Sequence, residues 1–267
     1  MHKIFAIAQN TFKEAIRQKI LYALIFFTIL LFCASYFLGQ LSIGDAASKI
    51  VKDMSLASIY MMGVFISLSM GISLVFKEID RKTIYTILAK PVSRMEFLVG
   101  KFFGLILTVG VEILLMSGLM FAMLTIYPEP LDWNLWKAIA LIYIELCVLI
   151  SVTLVFSSYS SSFMTSLFCF SVLIMGHLTD DLMSIIAEKA HYLEKKKQMT
   201  PLLDAIMTGG QKLLSIFNLD YFAINSKIVH GVVIPWSYVF YGVLYGACFI
   251  FVFIMIANFL FSKKDLK

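Results

Sequence analysis

Six stretches of the sequence, residues 20–39, 56–76, 102–127, 138–156, 163–179 and 238–262, are almost wholly apolar, and Glu112 and Glu145 are the only charged residues inside them. The hydrocarbon core of a bilayer is about 30 Å thick, so a crossing helix needs about 20 such residues, and only helices and closed barrels satisfy their own backbone there. A soluble domain is excluded: 60% of the 267 residues are hydrophobic and 15% charged, more apolar surface than a chain of this length can enclose. The expected fold class is an all-α integral membrane protein, a single transmembrane domain of six transmembrane helices. The fifth run is the shortest. The first is too long for the core of a cleavable signal peptide and no small-residue cleavage pattern follows it, so it is expected to remain as a span. Cys33, Cys147, Cys169 and Cys248 all lie within these runs without a CxxC pair, which suits small buried hydrophobes and gives a disulfide framework or zinc site nothing to build on.

Six spans put both termini on one side, and the distribution of Lys and Arg selects that side. Residues 1–19, the 77–101 loop and the C-terminal tail hold thirteen, whereas the short loops on the other face hold three, Lys49, Lys52 and Lys137. Both ends are therefore expected in the cytoplasm and residues 180–237 outside. That long segment holds six further lysines, including Lys195, Lys196 and Lys197, and they count the other way. With the basic excess gathered at one membrane face, a net charge of +5 points to the lipid bilayer, not nucleic acid, as the partner. Before the first span, Ile4, Ile7, Ala8, Phe12, Ala15 and Ile16 recur at helical spacing between Lys3, Lys13 and Arg17, the pattern of an interfacial helix lying on the inner leaflet.

The 77–101 loop is organised. Ile84, Ile87 and Leu88 share one helical face among alternating charges until Pro91, which biases Lys90 out of the α region. Ser93 and Glu96 then have the spacing of a capping box, so a new helix is expected to start there and run through Phe97 and Leu98 into the third span. On spacing alone, two readings stand: a hinged amphipathic helix that receives a push from a soluble partner, or a loop anchored to headgroups by its basic residues.

The string Glu78 … Lys82-Thr83-Ile84 … Leu88-Ala89-Lys90-Pro91-Val92-Ser93-Arg94 … Glu96-Phe97 … Gly100-Lys101 resembles the signature loop of permease subunits in the type-2 exporter family of ATP-binding-cassette transporters. Residues 8–24 are similar to the family's elbow helix, and Asn218 to Phe222 with His230-Gly231 and Pro235-Trp236 resembles the segment before its last span. The resemblance implies a cytoplasmic coupling helix near residues 78–89 that docks on a separate ATPase, with Glu78, Arg81, Thr83, Leu88, Pro91, Ser93 and Arg94 as the ATPase-coupling residues. It also implies two copies of that ATPase subunit carrying the ATP and Mg, a second permease chain (homodimer or paralogue), a bacterial inner membrane, and outer helices within 180–237 that cap or gate a pathway. This chain has no phosphate-cradling loop of its own. At its one Gly-Lys, Gly100-Lys101, Met95 stands where GxxxxGK[ST] needs glycine and Phe102 where it needs Ser or Thr. It is expected to bind no cofactor and to be no enzyme.

Glu112 and Glu145 both fall near mid-membrane, where a charge is costly and normally faces a bundle interior or a water-filled cavity. They are candidate pathway residues, with a shared proton as one arrangement and separate hydrogen bonds to neighbouring helices as the other. Gly63, Ser67 and Gly71, and likewise Gly242 and Gly246, recur every four residues and read as seams of close helix packing. His177 and Thr179 end the fifth run and read as hydrogen-bonded structural residues or as cavity-facing ones. No repeated His, Cys or Met pattern suggests a metal site. The competing functional classes are an ion-coupled transporter or channel using the two glutamates, a membrane enzyme, for which no HExxH or GxSxG is present, and a non-transporting assembly factor.

Overall fold

The computed structural model describes residues 2–41, 46–80, 93–126, 132–195, 208–209, 212 and 218–263. Among them every element is a helix: α1 (His2–Ile16), α2 (Lys19–Leu41), α3 (Ala46–Asp80), α4 (Arg94–Leu124), α5 (Leu135–Ser157), α6 (Ser162–His177), α7 (Thr179–Lys195), α8 (Asn225–Val229) and α9 (Trp236–Lys263). Five of these, α2, α3, α4, α5 and α9, are each long and apolar enough to cross a bilayer, and α6 with the bent α7 makes a sixth candidate.

The centre of the bundle is α5. Nearly all of its residues are buried because α3, α4, α6 and α9 pack around it. Two of those contacts run through the small-residue stripes. A Cβ on Gly71 would come within 2.7 Å of Thr153, one on Gly242 within 2.6 Å of Leu141, and Gly63 and Gly246 are pressed against Leu146 and Ile144. Ser67, between Gly63 and Gly71, is fully buried. Both stripes face α5, where the absent side chains let the backbones approach. These pairings make α3 and α9 parallel to α5, whereas Phe121 stacked on Trp136 at 4.8 Å makes α4 antiparallel to it. By contrast α2 buries one stripe, Leu21, Thr28, Phe32 and Ser35, and exposes Tyr22, Phe26, Phe27 and Phe37, the surface expected against lipid.

Several boundaries differ from the sequence pattern. At 35 residues and so about 50 Å long, α3 exceeds the membrane thickness: it starts well before residue 56 and continues to Asp80. Glu78 therefore lies in the last turn of α3 and does not open a separate short helix. The rest of the expected coupling helix, with Arg81, Thr83, Leu88 and Pro91, lies outside the described residues.

The fifth run is not a full crossing. Phe168 packs on Phe156 at 5.2 Å, Cys169 meets Thr153, and His177 reaches Glu145, so α6 rises antiparallel to α5 and ends beside the middle of it. There the chain bends by 56° into α7, whose Asp181, Glu188 and Lys189 have no place in lipid. Residues 218–235 pack beyond the end of α6, alongside the first half of α5. The Leu219 N–H donates to the Gly176 carbonyl at 3.1 Å, a Cβ on Gly176 would come within 2.5 Å of Leu219, and Leu219, Phe222, Ile224 and Ile228 are buried. α6 and residues 218–235 thus pack along successive lengths of α5.

Candidate functional site

Two parts of the bundle carry the residues singled out by the sequence. The first is the start of α4. Ser93 has extended backbone, with φ −74° and ψ 153°; its hydroxyl accepts from the Glu96 N–H at 3.1 Å and its own N–H donates to Glu96 Oε2 at 2.8 Å. This is the capping box read from the sequence, and the helix it starts runs without a break to Leu124. Its first turns are held on two sides. On one lies α1, with Ile7 against Gly100 and Thr11 and the Ala8 carbonyl against Gly104. On the other, Arg94 Nη1 donates to the carbonyls of Phe261 at 2.7 Å and Ser262 at 2.9 Å, and its guanidinium lies 5.7 Å from the Phe261 ring centre. Phe97 stacks on the same ring at 6.1 Å.

Those two carbonyls belong to the last turn of α9, where no intrahelical N–H remains to meet them and the helix dipole favours a cation. Arg94 is therefore a C-cap supplied from another helix. α1, the start of α4 and the end of α9 thus form one packed block. α1 and the last turn of α9 therefore lie at the same end of the bundle.

The second part is the middle of the bundle, where α6 ends. Glu145, 4% exposed, accepts from the Tyr60 hydroxyl at 2.8 Å; Tyr60 Oη is 3.2 Å from His177 Nε2, and Nε2 is 3.4 Å from Glu145 Oε1. His177 Nδ1 faces the Leu173 carbonyl at 3.2 Å. A carbonyl can only accept, so Nδ1 carries hydrogen and Nε2 is the nitrogen turned to the cluster. The Tyr60 hydroxyl hydrogen goes to Glu145, so the cluster links α3, α5 and α6 through buried polar side chains.

Glu112 is elsewhere. It is 4% exposed and faces α2 in a slot lined by Ile25, Thr28 and Ile29, and neither of its oxygens has a hydrogen-bond partner among the described residues. The structure thus separates the two glutamates onto different helix interfaces, and the shared-proton arrangement is not formed. Helical phase explains this: Gly110 of α4 meets Tyr143 of α5, and a position two residues later points about 200° away around the helix.

Other residues of consequence gave little sequence signal. Lys137, counted above only as a loop charge, is 7% exposed. Its Nζ donates to Asn134 Oδ1 at 2.8 Å and the Ile234 carbonyl at 2.6 Å and lies 5.0 Å from the Trp236 ring centre, tying the segment before α9 to α5. Tyr221 and Tyr238 stack at 4.4 Å, each hydroxyl donating to the other residue's carbonyl, at 3.3 and 2.8 Å. Tyr60 had a readable signal. It shares a helical face with Gly63, Ser67 and Gly71, so a hydroxyl on that stripe could be expected in a helix–helix seam. Among the described residues no group of three His, Cys, Asp or Glu side chains could hold a metal ion.

A search of curated proteins finds no match to this chain. A family model described as ABC-2 family transporter protein matches residues 5–266, a span that takes in most of α1, all the crossing helices, the capping box and residues 218–235. On a match of that extent, this chain, a multi-pass membrane protein, belongs to the ABC-2 transporter family.

Proposed function

We propose that the chain is the membrane-spanning subunit of an ATP-driven exporter in a bacterial inner membrane, with both termini cytoplasmic. It works as one half of a pair with a second copy or a paralogue, and two separate ATPase subunits supply the ATP, Mg and hydrolysis. The observation that carries this reading is the block at the start of α4. The residues resembling a coupling loop lead directly into a capped helix that is packed on α1 and clamped to α9 by Arg94. A push delivered between Glu78 and Ser93 is then transmitted to two crossing helices at once, because packed interfaces move as rigid bodies and do not deform continuously. The pathway opens outward as that block tilts relative to α5 and the contacts of residues 218–222 with α6 and α9 loosen.

The experiment is charge reversal at Glu78 and Arg81 together. The reversed protein inserts and pairs normally, while ATP hydrolysis by the complex no longer responds to transport. Wild-type coupling in that variant counts against the reading. One observation favours a second reading, ion-coupled transport without an ATPase: the buried Tyr60–Glu145–His177 cluster in the middle of the bundle. Proton-driven transport by the purified chain alone, abolished by Glu145→Gln, is the outcome that selects it.

A further inference from the structure

Only one side of α1 is used in the block at the start of α4. At about 100° per residue, the side chains of α1 fall into three stripes roughly 120° apart. The first, with Ile4, Ile7, Ala8 and Thr11, is pressed on Gly100 and Gly104. The second is apolar and faces outward: Phe5 is 70% exposed and Ile16 38%, with Phe12 half-buried between them. The third is cationic. It carries Lys13 and Arg17, and Lys19 follows where the chain turns from α1 into α2; all three are exposed, and none forms an ion pair among the described residues. Lys3, farther along this stripe, lies near Glu96 and is not counted with them. Glu14, the one acid of α1, falls between the cationic stripe and the α4 side. Gln18, in the same turn, accepts from the Ser73 hydroxyl at 3.1 Å. Gly71, two residues before Ser73, packs on Thr153, one turn before the end of α5 at Ser157. The corner between α1 and α2 is therefore level with the end of α5, where the bundle meets the polar edge of the bilayer.

Helical periodicity places α1 on a membrane surface but does not say which headgroups it meets. The three stripes do. Exposed Phe5 and Ile16 at the edge of a membrane bundle call for acyl chains. Three exposed cations without an internal partner call for an anion, and they act on it most strongly within a Debye length of the surface. Because both stripes belong to one helix fixed to α4, the two requirements are met side by side at one depth. A soluble anion satisfies the cations alone, and a zwitterionic lipid satisfies the apolar stripe but balances its own phosphate. A phospholipid of net negative charge satisfies both. We propose that α1 and the corner leading into α2 form a docking surface for anionic phospholipid in the leaflet at this end of the bundle, the headgroup phosphate lying among Lys13, Arg17 and Lys19 and the chains against Phe5, Phe12 and Ile16. The surface needs only the folded chain in a bilayer, so it stands or falls separately from coupling to an ATPase.

The test uses the purified full-length chain in nanodiscs of phosphatidylcholine that carry a trace of photoprobe, either phosphatidylglycerol or phosphatidylcholine with the same diazirine-bearing acyl chain. The phosphatidylglycerol probe is expected to label α1 in excess of the phosphatidylcholine probe, by about fivefold for each cation engaged. Replacing two of them, Lys13→Gln together with Arg17→Gln, lowers that excess roughly 25-fold and leaves labelling by the phosphatidylcholine probe unchanged. Raising the salt to about 1 M, where the Debye length is about 3 Å, removes the excess on the wild-type chain. Equal labelling of α1 by the two probes, or an excess retained in the double variant, overturns the proposal and leaves α1 as an interfacial helix without a choice of headgroup. If the double variant does not fold, the salt series on the wild-type chain decides alone, and an excess that persists at about 1 M salt overturns the proposal.

Discussion

Replacing Arg94 with methionine keeps the apolar stem over Phe261 and removes the guanidinium that caps α9. A hydrogen bond from a charged donor contributes about 1.5–3 kcal/mol net, and a cation at a helix C-terminus adds about 0.3–1 kcal/mol. The bond to Phe261 is part-buried and short, at 2.7 Å, while the one to Ser262 is exposed, so the second is discounted for solvent screening. The expected loss is about 2 kcal/mol, confined to the α4–α9 contact. Hydrogen exchange followed by mass spectrometry reads this locally: opening of the last turns of α9 becomes about 30-fold more favourable, while exchange in α5 is unchanged. Arg94→Lys retains a charge but not the planar fork and falls between the two. If Arg94→Met leaves exchange at the end of α9 as in the wild type, the block described at the start of α4 does not exist as a mechanical unit.

Further substitutions test the other contacts. Tyr60→Phe leaves Glu145 and His177 facing each other without the hydroxyl, at a cost of about 1–3 kcal/mol, seen as a lower thermal midpoint in detergent; an unchanged midpoint contradicts the cluster. Gly104→Ala sets a methyl against the Ala8 carbonyl and Thr11, costs about 1–3 kcal/mol and lifts α1, so trypsin cuts faster at Lys13 and Arg17. Equal cleavage rates would show that α1 does not depend on this contact. Lys137→Met strands the Ile234 carbonyl, and hydrogen exchange across residues 225–235 rises while that of α4 does not.

The crossings were legible in the sequence because lipid imposes a length and a composition on each helix, and the start of α4 was legible because Ser93 and Glu96 satisfy a local rule that needs no tertiary information. The small-residue stripes at Gly63 and Gly242 could be read as seams, but not that both face α5, since one sequence does not fix how helices are rotated against each other. The same gap left open whether Glu112 and Glu145 share a proton or bond separately to neighbouring helices: similar depth in the membrane says nothing about azimuth, and the two side chains point to different neighbours. The packing beside α5 was hidden for another reason. The fifth run was short, yet only the contact of Leu219 with Gly176 and of His177 with Glu145 reveals that a segment some forty residues later packs beyond the end of α6. Lys137 counted as a loop charge because its partners, the Ile234 carbonyl and the Trp236 ring, are about a hundred residues away in the chain.

The most direct test of the account is to tag the chain, extract it from its native membrane in mild detergent and identify what copurifies in stoichiometric amount. The account predicts a soluble chain carrying GxxxxGK[ST], one per membrane chain, that is lost or uncoupled when Glu78 and Arg81 are reversed. An intact pair of membrane chains with no ATPase, under conditions that preserve the α4–α9 clamp, would contradict it.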